Sequence, residues 1–184
     1  MVYKIGLLQK VKLHLIRGGV IAYPTESCYG LGCDPYNYKA IRSLIKLKRR
    51  DKTKGLIVIA GKNHQVDKLI KPLDDDTATK LKQYWPGAFS LILDIKPNIP
   101  SNLSGKHKSV AVRVSKQKQV IQLCNYLDSA IVSTSANKSQ LKSIKTYREC
   151  LRKFGNKVLV LPGVIGFAKN PSKIINLKTK QVLR

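Results

Sequence analysis

The sequence of 184 residues has few acidic side chains and no long apolar run. No stretch of about 18 apolar residues occurs, which excludes a membrane-spanning helix. Residues 1–19 lack the continuous apolar core of a secretory signal peptide, so we expect a cytoplasmic protein. Asp and Glu number 10 against 35 Lys and Arg, which leaves a formal net charge of +25. This charge indicates a polyanionic partner such as a nucleotide or nucleic acid, unless the lysines are merely solvated surface.

Cysteines are also few, and their spacing excludes several classes of site. Cys28, Cys33, Cys124 and Cys150 form no C-x-x-C pair, and no histidine lies at a zinc-ligand spacing from them. A hydrophobic fraction of 43% suffices for a core without disulfides, so we expect free thiols. The sequence contains neither G-x-x-x-x-G-K-[ST] nor G-x-G-x-x-G, so a nucleotide would have to be bound in another way.

The alternation of helical and extended patterns predicts one α/β domain over residues 1–184 with a mixed sheet. Helices are predicted at 4–17, 37–48, 63–71, 74–84, 117–127 and 145–154. Strands are predicted at 20–23, 55–61, 88–95, 109–115, 130–134, 157–161 and 173–177. Three adjacent carboxylates, at residues 74–76, fit the start of a helix better than a metal site, because they favour the helix dipole.

The stretch at residues 20–32, VIAYPTESCYGLG, is the first candidate for a ligand site. Its apolar start predicts a strand that Pro24 ends, because proline lacks an N–H group. The polar residues 25–28 then lie at a strand end, where α/β proteins bind ligands. The two glycines of residues 29–32 would let the backbone either turn or approach a ligand closely. The whole stretch fits equally well a strand, a turn and a helix cap without a ligand.

A cation-rich segment, KLKRRDKTKG at residues 46–55, joins a predicted helix to a predicted strand. Lys48, Arg50 and Lys54 could hold a triphosphate, since Lys offers a point charge and Arg a planar fork. Solvated surface explains the segment equally well.

Two later strands carry polar side chains that a buried strand does not need. Arg113 interrupts the small apolar residues of SVAVRVS, and it must meet a protein carboxylate or an anionic ligand, because a buried unpaired charge is costly. Ser133, Ser135 and Asn137 lie at the end of the strand AIVST. No G-x-S-x-G elbow surrounds these serines, so they suit phosphate or ribose oxygens better than a hydrolase triad. An ordinary Asx or Ser/Thr turn explains them too.

Six segments taken in order resemble the YrdC family: PTESCYGL, KRRDKTKGL, WPGAFSLIL, SVAVRVS, STSANKS and NPSKIINL. The resemblance extends from about residue 18 to the end, and it is closest to the stand-alone bacterial members. It implies a single domain in which a twisted mixed parallel and antiparallel sheet, flanked by helices, surrounds a basic concave surface. It also implies a nucleotidyltransferase that condenses L-threonine, bicarbonate or CO2, and ATP to L-threonylcarbamoyladenylate and pyrophosphate. A tRNA threonylcarbamoyltransferase complex would then use this product to modify tRNA.

The resemblance also implies roles for individual residues. Threonine contacts fall on Thr25, Arg113 and Ser133. A K-x-R pair and an S-x-N pair would act on the phosphates and the forming adenylate; they are Lys48 with Arg50, and Ser135 with Asn137. Ser109 matches an ATP contact and Ser172 a further one, while the cation-rich segment adds Lys54. Mg²⁺ is expected with ATP as a co-substrate, and no protein metal site is expected.

The sequence departs from the family pattern at Asp51, where proline is usual, and at Gln140, where glycine is usual. These departures concern loop conformation rather than chemistry. A different interpretation remains open, namely an RNA-binding module that assists tRNA or ribosome maturation through double-stranded RNA or tRNA without catalysis. The low aromatic content of 7% counts against a dedicated RNA reader.

Overall fold

The computed structural model describes residues 2–139 and 141–184, and their strands form one mixed sheet with helices on both faces. The strands are β1 Ile21–Pro24, β2 Tyr29–Gly32, β3 Ile57–Ala60, β4 Phe89–Asp94, β5 Ser109–Val114, β6 Ile131–Ser135, β7 Leu159–Val160, β8 Lys173–Asn176 and β9 Gln181–Val182. The helices are α1 Ile5–Ile16, α2 Tyr38–Lys48, α3 Asp75–Leu81, α4 Ser101–Ser104, α5 Lys118–Leu127 and α6 Tyr147–Phe154, with a 3₁₀ helix at Asn63–Val66.

The strand order is β7-β1-β2-β6-β3-β5-β4-β8-β9. The pairs β1–β7, β3–β5 and β4–β8 are parallel and the other pairs antiparallel, so the predicted mixed sheet is confirmed. Strands β7 and β8 follow each other in the chain but lie near opposite edges of the sheet. The segment between them, residues 161–172, therefore crosses from one edge towards the other.

Side chains alternate between two apolar layers. In β3, Val58 packs with the layer of α2 and α6, whereas Ile59 packs with the layer of α1 and α5. Helix α1 buries Leu8, Val11 and Leu15, which lie on one helical face, whereas Ile5 is exposed. Within the described part of the chain, no helix combines the length and apolar character needed to cross a bilayer.

Helix α2 forms where the sequence predicts it. The side chain of Asn37 accepts a hydrogen bond from the backbone N–H of Ala40 at 3.0 Å, which caps the first turn. Ala40, Ile41, Leu44 and Ile45 form the buried face. The helix ends at Lys48, whose side chain is buried at the same face, and Arg49 follows in a left-handed conformation. The last residue on the buried face of helix α2 is therefore a lysine and not another apolar residue.

Several local predictions are wrong. Residues 29–32 form strand β2, so their glycines make no turn, although Gly30 does line the cavity described below. Strand β1 ends at Pro24, as predicted, but Pro24 still pairs with Tyr29 in the β1–β2 ladder. The predicted helix at 63–71 is only a single 3₁₀ turn, and strand β9 was not predicted. The departure at Gln140 lies outside the described residues, so its effect stays open.

Candidate functional site

A cavity of about 880 Å³ opens over the part of the sheet that α1 and α5 leave uncovered. Every site residue predicted from the sequence lines it: Thr25, Lys48, Arg50, Lys54, Ser109, Arg113, Ser133, Ser135, Asn137 and Ser172. These residues come from five separate segments of the chain. The fold therefore brings the predicted residues together, although their individual roles stay predictions.

Strand β5 shows how the sheet supplies this lining. Ser109, Ala111 and Arg113 alternate along the strand and reach the cavity, whereas Val112 and Val114 are buried in the opposite apolar layer. A strand of period two places alternate side chains on opposite faces, which explains why a small residue and a charged one interrupt the valines. The SVAVRVS pattern thus encodes one apolar face and one face that lines the cavity.

Arg113 meets a protein carboxylate, which confirms one alternative left by the sequence, and it also lines the cavity, while contact with an anionic ligand stays a prediction. Its Nη2 lies 2.6 Å from Oε1 of Glu26, and its Nε donates to the carbonyl oxygen of Gly87 at 2.9 Å. Both side chains of the ion pair are largely buried, with 9% and 14% of their surface exposed. Sequence reasoning missed Glu26, which had been grouped with the polar residues 25–28 without a role.

The β1–β2 hairpin loop shapes the neighbouring wall. Thr25 donates its hydroxyl to the carbonyl oxygen of Cys28 at 2.7 Å, and its backbone N–H donates to the same oxygen at 3.0 Å. Gly30 lies beside Thr25 and Ser133: a Cβ there would be 3.1 Å from the Thr25 methyl carbon and 3.5 Å from the Ser133 hydroxyl. The glycine therefore keeps space open between two predicted threonine contacts.

Lys48 is anchored to the segment that contains Ser135 and Asn137. Its Nζ donates to the carbonyl oxygens of Ser135 (2.5 Å) and Asn137 (2.8 Å) and to Asn137 Oδ1 (3.1 Å). The Ser135 hydroxyl also donates to Asn137 Oδ1, at 2.6 Å. Burial, and secondarily the charge of Arg50, lowers the pKa of Lys48 to about 8. The predicted K-x-R and S-x-N pairs are therefore physically joined, and the three N–H groups of Lys48 already have protein acceptors.

Arg50 and Arg184 add two further cations to the same wall, and we call Lys48, Arg50 and Arg184 the cation cluster. Arg50 donates from Nη2 to the carbonyl oxygen of Gly55 at 2.8 Å, while its buried Nε has no hydrogen-bond partner in the described structure. Burial and then the charge of Arg184 lower the pKa of Arg50, and burial lowers that of Arg184. No carboxylate forms an ion pair with these three side chains within residues 2–139 and 141–184.

Arg184 is the second functional candidate that sequence reasoning missed. It donates from Nη2 to the carbonyl oxygen of Ser172 at 3.1 Å, and the Ser172 hydroxyl lies 2.8 Å from that of Ser90. The pairing of β8 with β9 carries Arg184 to the cavity, since Ile174 donates its backbone N–H to the Arg184 carbonyl at 3.0 Å. No local sequence pattern marks this position, because its place depends on an unpredicted strand.

Two carboxylate features bear on metal binding. Asp51 lines the cavity, and its Oδ1 accepts hydrogen bonds from the backbone N–H and hydroxyl of Thr53, which lower its pKa. Asp74 accepts from the backbone N–H of Thr77 and caps α3. In the described residues, no three His, Cys, Asp or Glu side chains are grouped closely enough to hold a metal ion.

Known proteins similar in sequence span nearly the whole chain. A family model for Sua5, YciO and YrdC, described as "Telomere recombination", matches residues 14–184. The chain is 46% identical over 178 residues to a threonylcarbamoyl-AMP synthase of Chromobacterium violaceum, covering 97% of this chain and 92% of that protein. It is 45% identical over 167 residues to a protein of the same name from Buchnera aphidicola, covering 90% of this chain and 95% of that protein.

Solved structures share the fold at lower identity. Sua5 of P. abyssi complexed with L-threonine superposes with a TM-score of 0.87 at 24% identity, covering 97% of this chain. This chain spans about half of that Sua5 chain, 53% of its length. E. coli YciO superposes with a TM-score of 0.85 at 21% identity, covering 98% of this chain and 89% of that one. The expected fold class is thereby confirmed.

Proposed function

The chain belongs to the Sua5/YciO/YrdC family, and on that premise we propose that it is an L-threonylcarbamoyladenylate synthase. It condenses L-threonine, bicarbonate or CO2, and ATP, and it releases pyrophosphate. One observation carries the proposal: a single cavity collects an arginine suited to a carboxylate, a cation cluster suited to phosphates, and serine and threonine hydroxyls. Its volume of about 880 Å³ falls in the range of pockets that enclose ligands of this size.

The proposed chemistry consists of two bond-forming steps. The amine of threonine attacks CO2, loses a proton and becomes a carbamate. A carbamate oxygen then attacks the α-phosphorus of ATP, and the bond between that phosphorus and the oxygen bridging to the β-phosphate breaks. No covalent intermediate with the protein is required, so the cavity needs no activated serine or cysteine. Positioning of two anionic reactants is the main task of the site.

The amino-acid substrate is assigned to the wall formed by Thr25, Arg113 and Ser133. The guanidinium of Arg113 suits the threonine carboxylate, because a planar fork of N–H donors matches a carboxylate. The methyl carbon of Thr25 and the hydroxyl of Ser133 border the space beside Gly30, and these two side chains would contact the remainder of the amino acid.

ATP is assigned to the cation cluster together with Lys54, Ser109, Ser135, Asn137 and Ser172. Negative charge grows on the α-phosphoryl oxygens as the carbamate attacks, and fixed cations stabilise it without further reorganisation. The buried, unpartnered Nε of Arg50 supports this assignment, because a buried donor left without an acceptor is costly unless a ligand satisfies it. Lys48 acts in this proposal both through its charge and by fixing the segment of Ser135 and Asn137.

Mg²⁺ would accompany ATP. The described residues form no three-ligand acidic cluster, and Asp51 is the carboxylate that lines the cavity. These residues fit an ion held mostly by phosphate oxygens and water, which is the usual coordination of Mg²⁺ at nucleotides. Mg²⁺ supplies charge neutralisation on the triphosphate when it is bound.

The proposal is tested by measuring pyrophosphate release from the purified chain. Release must require L-threonine, bicarbonate and ATP together, and L-threonylcarbamoyladenylate must appear in equal amount by mass spectrometry. Release that continues without threonine would identify an ATP hydrolase instead and would refute the assignment. We further propose that the reaction takes place in the cytoplasm and supplies a tRNA threonylcarbamoyltransferase complex.

RNA binding is a second candidate, favoured by a net charge of +25 that exceeds what three phosphates require. Backbone contacts by surface lysines would bind tRNA or double-stranded RNA with a steep dependence on salt. Retention of RNA that weakens with salt, without threonine-dependent pyrophosphate release, would support this candidate in place of the enzyme.

A further inference from the structure

We propose that Glu26 is a positioning residue that orients Arg113 for the carboxylate of the amino-acid substrate. The inference deepens the proposed function and rests on it, since it takes Arg113 as the group that meets this carboxylate. Glu26 would not touch the substrate. It would act by fixing the plane of the guanidinium and thereby which N–H groups point into the cavity.

Glu26 is held by more than its arginine partner. Its Oε1 accepts hydrogen bonds from the hydroxyl of Ser115 at 2.6 Å and from the backbone N–H of Lys116 at 3.2 Å, and it forms the ion pair with Nη2 of Arg113 at 2.6 Å. The end of β5 therefore fixes the carboxylate independently of Arg113. A guanidinium on a flexible side chain then orients towards a carboxylate that is already in place.

The backbone of Glu26 is also fixed, by the segment that crosses the sheet. Gly166 donates its N–H to the carbonyl of Thr25 at 2.9 Å, and Ala168 donates to the carbonyl of Glu26 at 3.0 Å. A Cβ at Gly166 would lie 3.0 Å from the Cα of Glu26, so the two backbones are in close contact. Both ends of the Glu26 side chain are therefore immobilised before any ligand arrives.

The ion pair is made through a single oxygen and a single nitrogen. An arginine and a carboxylate that only stabilise the fold commonly pair through two parallel bonds, which gives the most favourable geometry. Here Oε2 of Glu26 is buried without a hydrogen-bond partner in the described structure, so a second bond to Arg113 is forgone. The ion pair is therefore weaker than a two-bond pair, and part of the guanidinium makes no contact with Glu26.

The unused part of Arg113 is its Nη1. Nε is committed to the carbonyl of Gly87 and Nη2 to Glu26, whereas Nη1 donates to no acceptor within residues 2–139 and 141–184. Arg113 lines the cavity, so this N–H group is available to a ligand there. Gly87 and Glu26 together define one orientation of the guanidinium, and Glu26 supplies the charged half of that constraint.

The experiment compares E26A and E26Q in the synthase reaction. Loss of the carboxylate in E26A frees the guanidinium to rotate, and we expect the KM for L-threonine to rise about 30-fold while kcat and the KM for ATP change by less than about threefold. In E26Q the amide oxygen accepts the same bonds from Arg113, Ser115 and Lys116. We therefore expect E26Q to restore the threonine KM to within about fivefold of the parent value.

L-Threonine amide separates orientation of Arg113 from general damage, because it has no carboxylate for Arg113 to meet. We expect kcat/KM for the amide to be the same in E26A and the parent protein within about twofold. E149Q is the matched control: Glu149 is half-exposed and pairs with Lys153 on helix α6, and its neutralisation should change none of these parameters.

Equal losses for threonine, threonine amide and ATP in E26A would overturn the proposal and leave Glu26 a structural residue. An unchanged threonine KM would overturn it as well. If E26A does not fold, E26D takes its place, because aspartate keeps the charge but is shorter by one methylene and moves the carboxylate away from Arg113. A normal KM for threonine in E26D would overturn the proposal. Failure of the proposed function is distinct, since the parent protein would then release no threonine-dependent pyrophosphate.

Discussion

Arg113 and the cation cluster place positive charge in one cavity, but they differ in whether a protein carboxylate pairs with them. Arg113 has a carboxylate partner at 2.6 Å. Lys48, Arg50 and Arg184 have none in the described residues, and burial lowers the pKa of all three. The protein thus pairs one cation with its own carboxylate and leaves the other three unpaired within the described residues, an arrangement that suits an anionic ligand.

This difference separates two tasks of a binding site. A paired arginine offers oriented N–H donors with little net charge, which favours recognition by geometry. An unpaired cluster offers net charge, which favours a highly charged anion and stabilises charge that develops during reaction. We therefore expect the amino acid to be recognised mainly by shape and hydrogen bonds, and the nucleotide mainly by electrostatic attraction.

The largest expected effect comes from R50A, which removes charge from the cation cluster. We expect kcat/KM for ATP to fall by about 100- to 1000-fold, the usual loss for a group that stabilises transition-state charge. Steady-state pyrophosphate release measures it. R50K should recover little, because lysine cannot reproduce the planar fork. Activity within threefold of the parent would show that the cluster does not serve the phosphates.

R113A should have the largest effect on stability. It leaves Glu26 as a buried, unpaired carboxylate, and breaking a buried pair in this way costs about 3–5 kcal/mol of unfolding free energy. R50A breaks no ion pair, so we expect a change within about 1 kcal/mol. Urea unfolding of both variants compares them directly, and equal destabilisation would remove the contrast between paired and unpaired cations.

The pH dependence of ATP binding tests the charge of Lys48. In the free protein this lysine has a pKa of about 8, and bound phosphates must raise that pKa because they favour the ammonium. Binding therefore takes up a proton above pH 8, and affinity present at lower pH is lost as the pH rises. We expect the Kd of ATP to increase by up to about tenfold per pH unit just above pH 8.

Calorimetry over pH 7–9.5 in buffers of different ionisation enthalpy would detect this proton uptake. The free energy of unfolding of the protein without ATP depends on pH in the opposite direction to ATP affinity. Because folding lowers the pKa of Lys48 from its ordinary 10.5, its burial penalty is present below pH 8 and is relieved as the pH rises towards 10.5. An ATP affinity independent of pH in this window would show that Lys48 keeps its proton when free.

The smallest expected effect is a difference between ATP and threonine in how their dissociation constants depend on ionic strength. Raising the ionic strength from 0.05 to 0.3 M should weaken ATP binding by about three- to tenfold, since the unpaired cluster interacts through net charge. Threonine binding should change by less than about twofold, because Glu26 already neutralises Arg113. Equal salt sensitivity of the two dissociation constants would contradict the distinction.

Local sequence patterns were enough to predict many of the helices and strands and the faces that they present. The alternation in SVAVRVS predicts both strand β5 and the face that carries Arg113, because the period of a strand is set by backbone geometry. Asn37 predicts the start of α2, because its cap depends only on the residues that follow it. The convergence of the ten site residues on one cavity was implied by the resemblance of six ordered segments to the family, and not by any local pattern.

Long-range contacts were beyond prediction from these patterns. Nζ of Lys48 finds acceptors in Ser135, 87 positions away, and nothing near Lys48 indicates this. Strand β2 resembles a turn because it contains two glycines, yet a Cβ at Gly32 would lie 2.5 Å from the carbonyl oxygen of Val132 on a neighbouring strand. Glycine is needed there for packing rather than for a bend, and only the assembled sheet reveals it.

The crossing of residues 161–172 has a consequence for synthesis of the protein on the ribosome. The cavity joins Thr25, from an early hairpin, to Ser172, which directly precedes β8, and to Arg184, which follows β9 at the far edge of the sheet. A nascent chain that stops before residue 173 would have translated most of the proposed catalytic groups and still lack one wall. Contacts of such high sequence separation form slowly. Ligand affinity should therefore emerge late and abruptly during translation, rather than growing segment by segment.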